Sequence, residues 1–274
     1  MNTHQLKQQL TGFRDRFVHA ASHYDGTFRQ SRELERTIDD YSAFITDERH
    51  QRLWLSLEPE TLYALRPMTD ELRQASALCV AIMEKYRALK LLHEGDDRNQ
   101  YFDHIQASIE KEFGSFRVSG DSCVLLVGSG SFPMTPLLIA QRTGAHVFGI
   151  DIDGEAVQLG RKVVQLLGGD LNIQLEHKPL EQFARIGEVT HVIFSSTVAV
   201  KYELLDWLHA AARPDIVAAI RYGDGLKSLF NYPSQDVDGR KWRLAETAAL
   251  PGHVFDIALY RKVEAATVQG GGAA

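Results

Sequence analysis

VLLVGSGSFP (124–133) is an apolar run that breaks at Gly128-Ser129-Gly130 and then meets Pro133. The run, CVLLV from residue 123, is of buried-strand type. Its glycines permit positive φ and close approach of another group to the backbone. Pro133 suits the first turn of a helix, where its missing N–H is not needed, and MTPLLIAQRTG (134–144) supplies that helix. HVFGI (146–150) is a second strand that ends in Asp151, a carboxylate placed to accept hydrogen bonds from ribose hydroxyls. Strand, glycine turn, helix, strand and terminal acid together predict an adenosine-type cofactor pocket in a Rossmann-like sheet. The bland alternative is a tight turn with no ligand. A dinucleotide site uses a third glycine where Pro133 stands, which tilts the reading from NAD toward S-adenosylmethionine.

Downstream, NIQLEH (172–177), HVIF (191–194) and DIVAAI (215–220) are further strands, separated by helical or loop sequence. This alternation predicts βαβ units and a parallel sheet. WRLAETAAL (242–250) and VFDIALYRK (254–262) close the domain as an antiparallel pair. Upstream the texture is helical. SRELERTIDDYSAFI (31–45) has its apolar residues at helical spacing, and a longer helix is expected from about Thr69 to His93, followed by another over 99–113. The expected division is a helical cap over 1–118, the Rossmann-like S-adenosylmethionine-binding domain over 119–262, and a flexible tail over 263–274. The fold class is α/β with an N-terminal all-helical cap.

The 274 residues are 44% hydrophobic and 24% charged, ordinary for a globular protein. The net charge of −6 is spread along the chain without a basic block, which argues against nucleic acid as partner. No apolar run reaches the roughly 18 residues that a membrane span needs. Two cysteines, Cys79 and Cys123, form no disulfide framework and read as small core residues. The start of the chain has no apolar leader, so a cytoplasmic location is expected. A homodimer would be the commonest assembly.

LLVGSGSFPMT (125–135), FGIDID (148–153), HVIFSSTVAVKYELL (191–205) and IRYGDGLKSLFNYPSQ (220–235), with YFDHI (101–105), together resemble the nicotianamine synthase-like family. The likeness is to its bacterial branch, the synthases of staphylopine-type opine metallophores. It implies that the 2-aminobutanoyl arm of S-adenosylmethionine is moved to the amine of histidine, with the D form favoured, and that 5′-methylthioadenosine is released. The product would pass to an NAD(P)H-dependent opine dehydrogenase. A small-molecule methyltransferase with the same pocket is the alternative, and a non-catalytic S-adenosylmethionine binder is a third reading.

The resemblance implies Glu84 as the base, on the long helix, with apolar neighbours suited to raising its pKa. The competing reading is a surface Glu paired with Arg87. Tyr101 is implied to orient the incoming amine, or else to be a core ring. Cofactor contacts are expected from Gly128, Ser129, Gly130, Asp151 and Ile152, from Pro179 and Leu180 after the third strand, and from Ser195 and Ser196 after the fourth. Arg221, Asp224 and Tyr232, in the loop after the fifth strand, are expected to border the substrate; ion pairing or turn packing are their alternatives. His23 and Tyr24 are candidates to reach histidine if their helix folds over the pocket. His19 and His23 are four apart, a spacing able to hold a metal, but no third ligand is at hand and the chemistry needs no metal.

Overall fold

The computed structural model describes residues 3–95, 117–250 and 252–263. Tyr101, the helix expected over 99–113 and nearly all of the expected tail lie outside the described residues.

Seven strands form one sheet in the order β3-β2-β1-β4-β5-β7-β6. They are β1 (Cys123–Val127), β2 (His146–Asp151), β3 (Ile173–His177), β4 (His191–Phe194), β5 (Val217–Tyr222), β6 (Trp242–Ala248) and β7 (Asp256–Lys262). The first five are parallel, and β7 enters antiparallel between β5 and β6. Period-two alternation sends Leu125 and Val127 to one face and Val124 and Leu126 to the other, and both faces are buried. A strand covered on both sides can be apolar throughout, which is why CVLLV shows no alternation in sequence. β5 begins at Val217 rather than Asp215 and runs on through Arg221 and Tyr222, which pair with Ile257 and Asp256 of β7. An apolar window misses that polar end.

The helical part contains α1 (Thr3–Ser22), α2 (Ser31–Thr46), α3 (Glu48–Leu55) and α4 (Pro59–Glu94). α4 starts ten residues before the expected Thr69. Pro59 occupies its first turn, and the helix runs through Pro67. Pro67 removes one intrahelical bond, at the carbonyl of Tyr63. Tyr63 is 75% exposed, so water is available to that carbonyl. Gly95 ends the helix at φ 65°, donating to the Leu91 carbonyl.

The stripe Leu72, Cys79, Ile82, Met83 and Tyr86 of α4 is buried in a core shared with Leu226, Leu229 and Phe230, which follow β5. Tyr41 of α2 donates its hydroxyl to the Leu229 carbonyl at 2.8 Å. Helices and sheet therefore interlock. The described residues also form the α-helices α5 (Met134–Thr143), α6 (Gly154–Gly168) and α7 (Lys201–Ala211). Among the described residues no helix is long and apolar enough to cross a membrane.

Candidate active site

The chain runs from β1 outward to β3, then crosses back to β4 on the other side of β1. The reversal leaves a crevice beyond the carboxyl ends of β1 and β4, where open α/β sheets take ligands. A cavity of about 570 Å³ occupies it, the size of a small-molecule site. Val127, Gly128, Gly130, Ile150, Asp151, Leu180 and Ser195 line it from the sheet side. Ala77, Val80, Ala81 and Glu84 line it from α4. Their spacing of three or four residues makes a second stripe on that helix, turned from the core stripe.

The glycine turn is held by hydrogen bonds from Gly128 and Ser129 to the Ile150 carbonyl and from the Gly130 N–H to Asp151 Oδ2, at 2.9 Å. Asp151 Oδ1 accepts from the Asp153 N–H. Each oxygen keeps a lone-pair direction for a ligand. Gly128 and Gly130 have φ of 81° and 65°. At Gly130 the closely approaching group is a protein side chain: a β-carbon there would overlap Glu84 Oε2 and lie 2.9 Å from Glu84 Cδ. The turn that reads as a ligand cradle is thus shaped to admit Glu84.

Glu84 Oε2 accepts a 3.3 Å hydrogen bond from the Ser131 N–H. Burial, and after it the charge of Asp151, push its pKa up to about 7. The Ser131 hydrogen bond and the charges of Arg87 and Arg221 act in the opposite direction. A carboxyl at this value can take or give a proton at neutral pH.

The neighbouring Lys85 fixes how α4 sits on the sheet. Its ammonium meets Asp153 Oδ2 at 2.8 Å and Glu155 Oε2 at 2.5 Å, both at the start of α6. Tyr24 donates its hydroxyl to Glu155 Oε1 at 3.0 Å. The Lys85 side chain is 11% exposed, whereas its two carboxylate partners are roughly half exposed. Lys85→Met leaves two carboxylates side by side, with an expected loss of about 1–2 kcal/mol in urea unfolding. Glu155→Gln keeps the Asp153 pair and should cost under about 1 kcal/mol. Equal losses in the two variants would show that Lys85 does not bridge both.

Among the residues named from sequence, Glu84, Gly128, Gly130, Asp151, Ile152, Pro179, Leu180 and Ser195 line the cavity. Ser129 is buried beneath it, against Gly149. Arg221 is not among the residues lining the cavity; its guanidinium donates to Thr135 Oγ1 at 3.0 Å, lies 5.2 Å from the centre of the Phe255 ring, and acts on Glu84 through its charge. Tyr24 joins the Lys85 cluster instead of the cavity wall. His23 is exposed and bonds the His19 carbonyl of its own helix at 2.7 Å. Among the described residues no group of three or more potential metal ligands gathers. Asp224 accepts from the N–H and hydroxyl of Ser234, closing its loop. Ser196 and Tyr232 meet away from the cavity wall, where Tyr232 N–H donates to the Ser196 carbonyl at 3.3 Å.

Lys85, Thr135 and Lys201 were not singled out by sequence reasoning. Lys201 alone carries a signal, as a cation at the first position of a helix, where the macrodipole disfavours positive charge.

No family model matches the chain. It is 30% identical over 230 residues to L-histidine 2-aminobutanoyltransferase of Pseudomonas aeruginosa PAO1, covering 84% of this chain and 86% of that protein. It is also 30% identical over 253 residues to the enzyme of the same name from Yersinia pestis, covering 92% and 91%. Among solved structures, the nicotianamine synthase MtNAS in complex with MTA and tNA superposes with a TM-score of 0.74 at 17% identity, over 94% of this chain and 98% of that one. A glutamate-to-glutamine variant of MtNAS in complex with S-adenosylmethionine gives 0.69 over 92% and 98%, also at 17% identity. The structural likeness shows a shared fold of helices on a Rossmann-like sheet, and the sequence likeness shows the family: the chain belongs to the L-histidine 2-aminobutanoyltransferases.

Proposed function

We propose that this enzyme moves the 2-aminobutanoyl group of S-adenosylmethionine to the amine of histidine and releases 5′-methylthioadenosine. The observation that carries the reading is Glu84, a carboxyl with a pKa of about 7 set into the cofactor crevice by the helical part. S-adenosylmethionine, as co-substrate, supplies an electrophilic γ-carbon on its sulfonium. The amine nitrogen forms a bond to that carbon as the carbon–sulfur bond breaks, and sulfur keeps the electron pair. Glu84 takes the proton that the acceptor ammonium must lose to become a nucleophile. Because all three sulfonium carbons are electrophilic, positioning decides which one reacts.

Within this reading Asp151 holds the ribose hydroxyls, while Ile152, Pro179 and Leu180 border the adenine. Ser195 contacts the methionine arm, and Arg221 holds the acceptor carboxylate. Residues 119–262 specify the co-substrate, and 1–118 supply the base. The product is a secondary amine suited to a downstream NAD(P)H-dependent opine dehydrogenase. The relatives' name supports the L form of histidine; the D form suggested by the staphylopine branch is the second arm of the test.

Incubation with S-adenosylmethionine and L-histidine is expected to yield methylthioadenosine and an aminobutanoyl-histidine, both identified by mass spectrometry, with D-histidine run beside it as the second arm. Release of S-adenosylhomocysteine with a methylated acceptor would overturn the reading in favour of methyl transfer.

A further inference from the structure

Lys201 is fully buried, the first residue of α7, and among the described residues no carboxylate pairs with its ammonium. A buried cation at a helix N-terminus is unfavourable twice over, through lost hydration and through the macrodipole. What it meets instead are three main-chain carbonyls: Arg221 at 2.7 Å, Ser196 at 3.1 Å and Tyr232 at 3.3 Å. Three acceptors need three N–H donors, which an ammonium has and a neutral amine lacks. These carbonyls belong to the ends of β4 and β5 and to the loop that returns past β5. That loop closes on the same point, with the Gly223 N–H donating to the Tyr232 carbonyl.

We propose that Lys201 is a positioning residue for the transfer reaction. It ties the main chain at Ser196, Arg221 and Tyr232 into one unit and thereby sets where the Arg221 guanidinium stands relative to Glu84. The proposal rests on the reading that Arg221 holds the acceptor carboxylate. Lys201 touches neither the cavity nor Glu84, so its effect must pass through the backbone of β5. The guanidinium of Arg221 meets Thr135 Oγ1 and the Phe255 ring, and the main chain it hangs from is held by Lys201 and lies opposite Ile257 in the β5–β7 ladder. Loss of the Lys201 contact shifts the end of β5 within its ladder, and the guanidinium with it, while Asp151, Gly128 and Leu180 on the cofactor side stay in place.

The test measures three quantities in Lys201→Met, Lys201→Arg and Arg221→Met: the dissociation constant for S-adenosylmethionine, KM for histidine, and kcat. Arginine keeps the charge, but its planar fork does not match three converging carbonyls. Both Lys201 variants are expected to raise KM for histidine, Met by about tenfold and Arg by less, with cofactor affinity kept within about threefold. Arg221→Met should raise the same KM at least as much.

A folded Lys201 variant with the parent KM for histidine overturns the proposal. So does parallel weakening of cofactor and histidine binding, the mark of general loosening. If Lys201→Met does not fold, Lys201→Arg carries the same test. A parent KM in Arg221→Met overturns the reading of Arg221 and the proposal with it, whereas a raised KM there beside unaffected Lys201 variants overturns the proposal alone.

Discussion

Glu84→Gln is expected to lower kcat by about 10²–10⁴-fold, the usual contribution of a general base, while leaving S-adenosylmethionine affinity within about threefold of the parent. Glutamine keeps the volume over Gly130 but cannot accept the proton. The base works deprotonated, so the parent's kcat/KM, which reports the free enzyme, should rise with pH through about 7. The variant should lack that step. Normal turnover by Glu84→Gln would remove Glu84 from the mechanism.

The same carboxyl also predicts a stability effect of definite sign. Its folded pKa of about 7 lies above the ordinary 4.5, so between those values the native chain holds a proton that the unfolded chain has lost. Stability therefore falls as pH rises through that window, and the whole cost of the buried charge is present above it. Glu84→Gln should melt higher than the parent at pH of about 8, with the gap closing as the pH falls toward 4.5. A stabilised but inactive variant is the expected mark of a charge kept for chemistry.

Gly130→Ala has the second large effect. Alanine at φ 65° carries a conformational penalty of about 1–2 kcal/mol wherever it occurs. Here its β-carbon would also overlap Glu84 Oε2. The carboxyl must leave its site over the turn, and transfer should fall by at least about 10²-fold. A double-mutant cycle separates the two costs. In the Glu84→Ala background the steric conflict is gone, so Gly130→Ala should cost only the conformational penalty, and no more than in the parent. Urea unfolding measures both. An undiminished transfer rate in Gly130→Ala would mean that Glu84 does not stand over Gly130 in solution.

What could be read along the chain is whatever local physics encodes. CVLLV, HVFGI and HVIF are strands because runs of this length can be buried on both faces. Gly128 and Gly130 mark a turn because positive φ is costly for other residues. Asp151 ends β2 as expected. The start of α4 was obscured because Pro67 is a poor helix former and only its exposed position makes it tolerable. The end of β5 was obscured because Arg221 and Tyr222 do not read as strand until β7 pairs with them.

The amino-acid sequence by itself determined the strands, the glycine turn and the terminal acid, since each rests on neighbours within a few residues, and the alternation of strands with helices indicated the parallel sheet. Only the tertiary structure decided that the group closing on Gly130 is Glu84, whose bond to the Ser131 N–H spans 47 residues of chain. Only the tertiary structure brought the carbonyls of Ser196, Arg221 and Tyr232 to one buried ammonium. Linear spacing sets the face of a helix on which a side chain lies, but not what that face meets. That is set by how α4 and α7 pack on the sheet, through shared core and the Lys85 and Lys201 contacts.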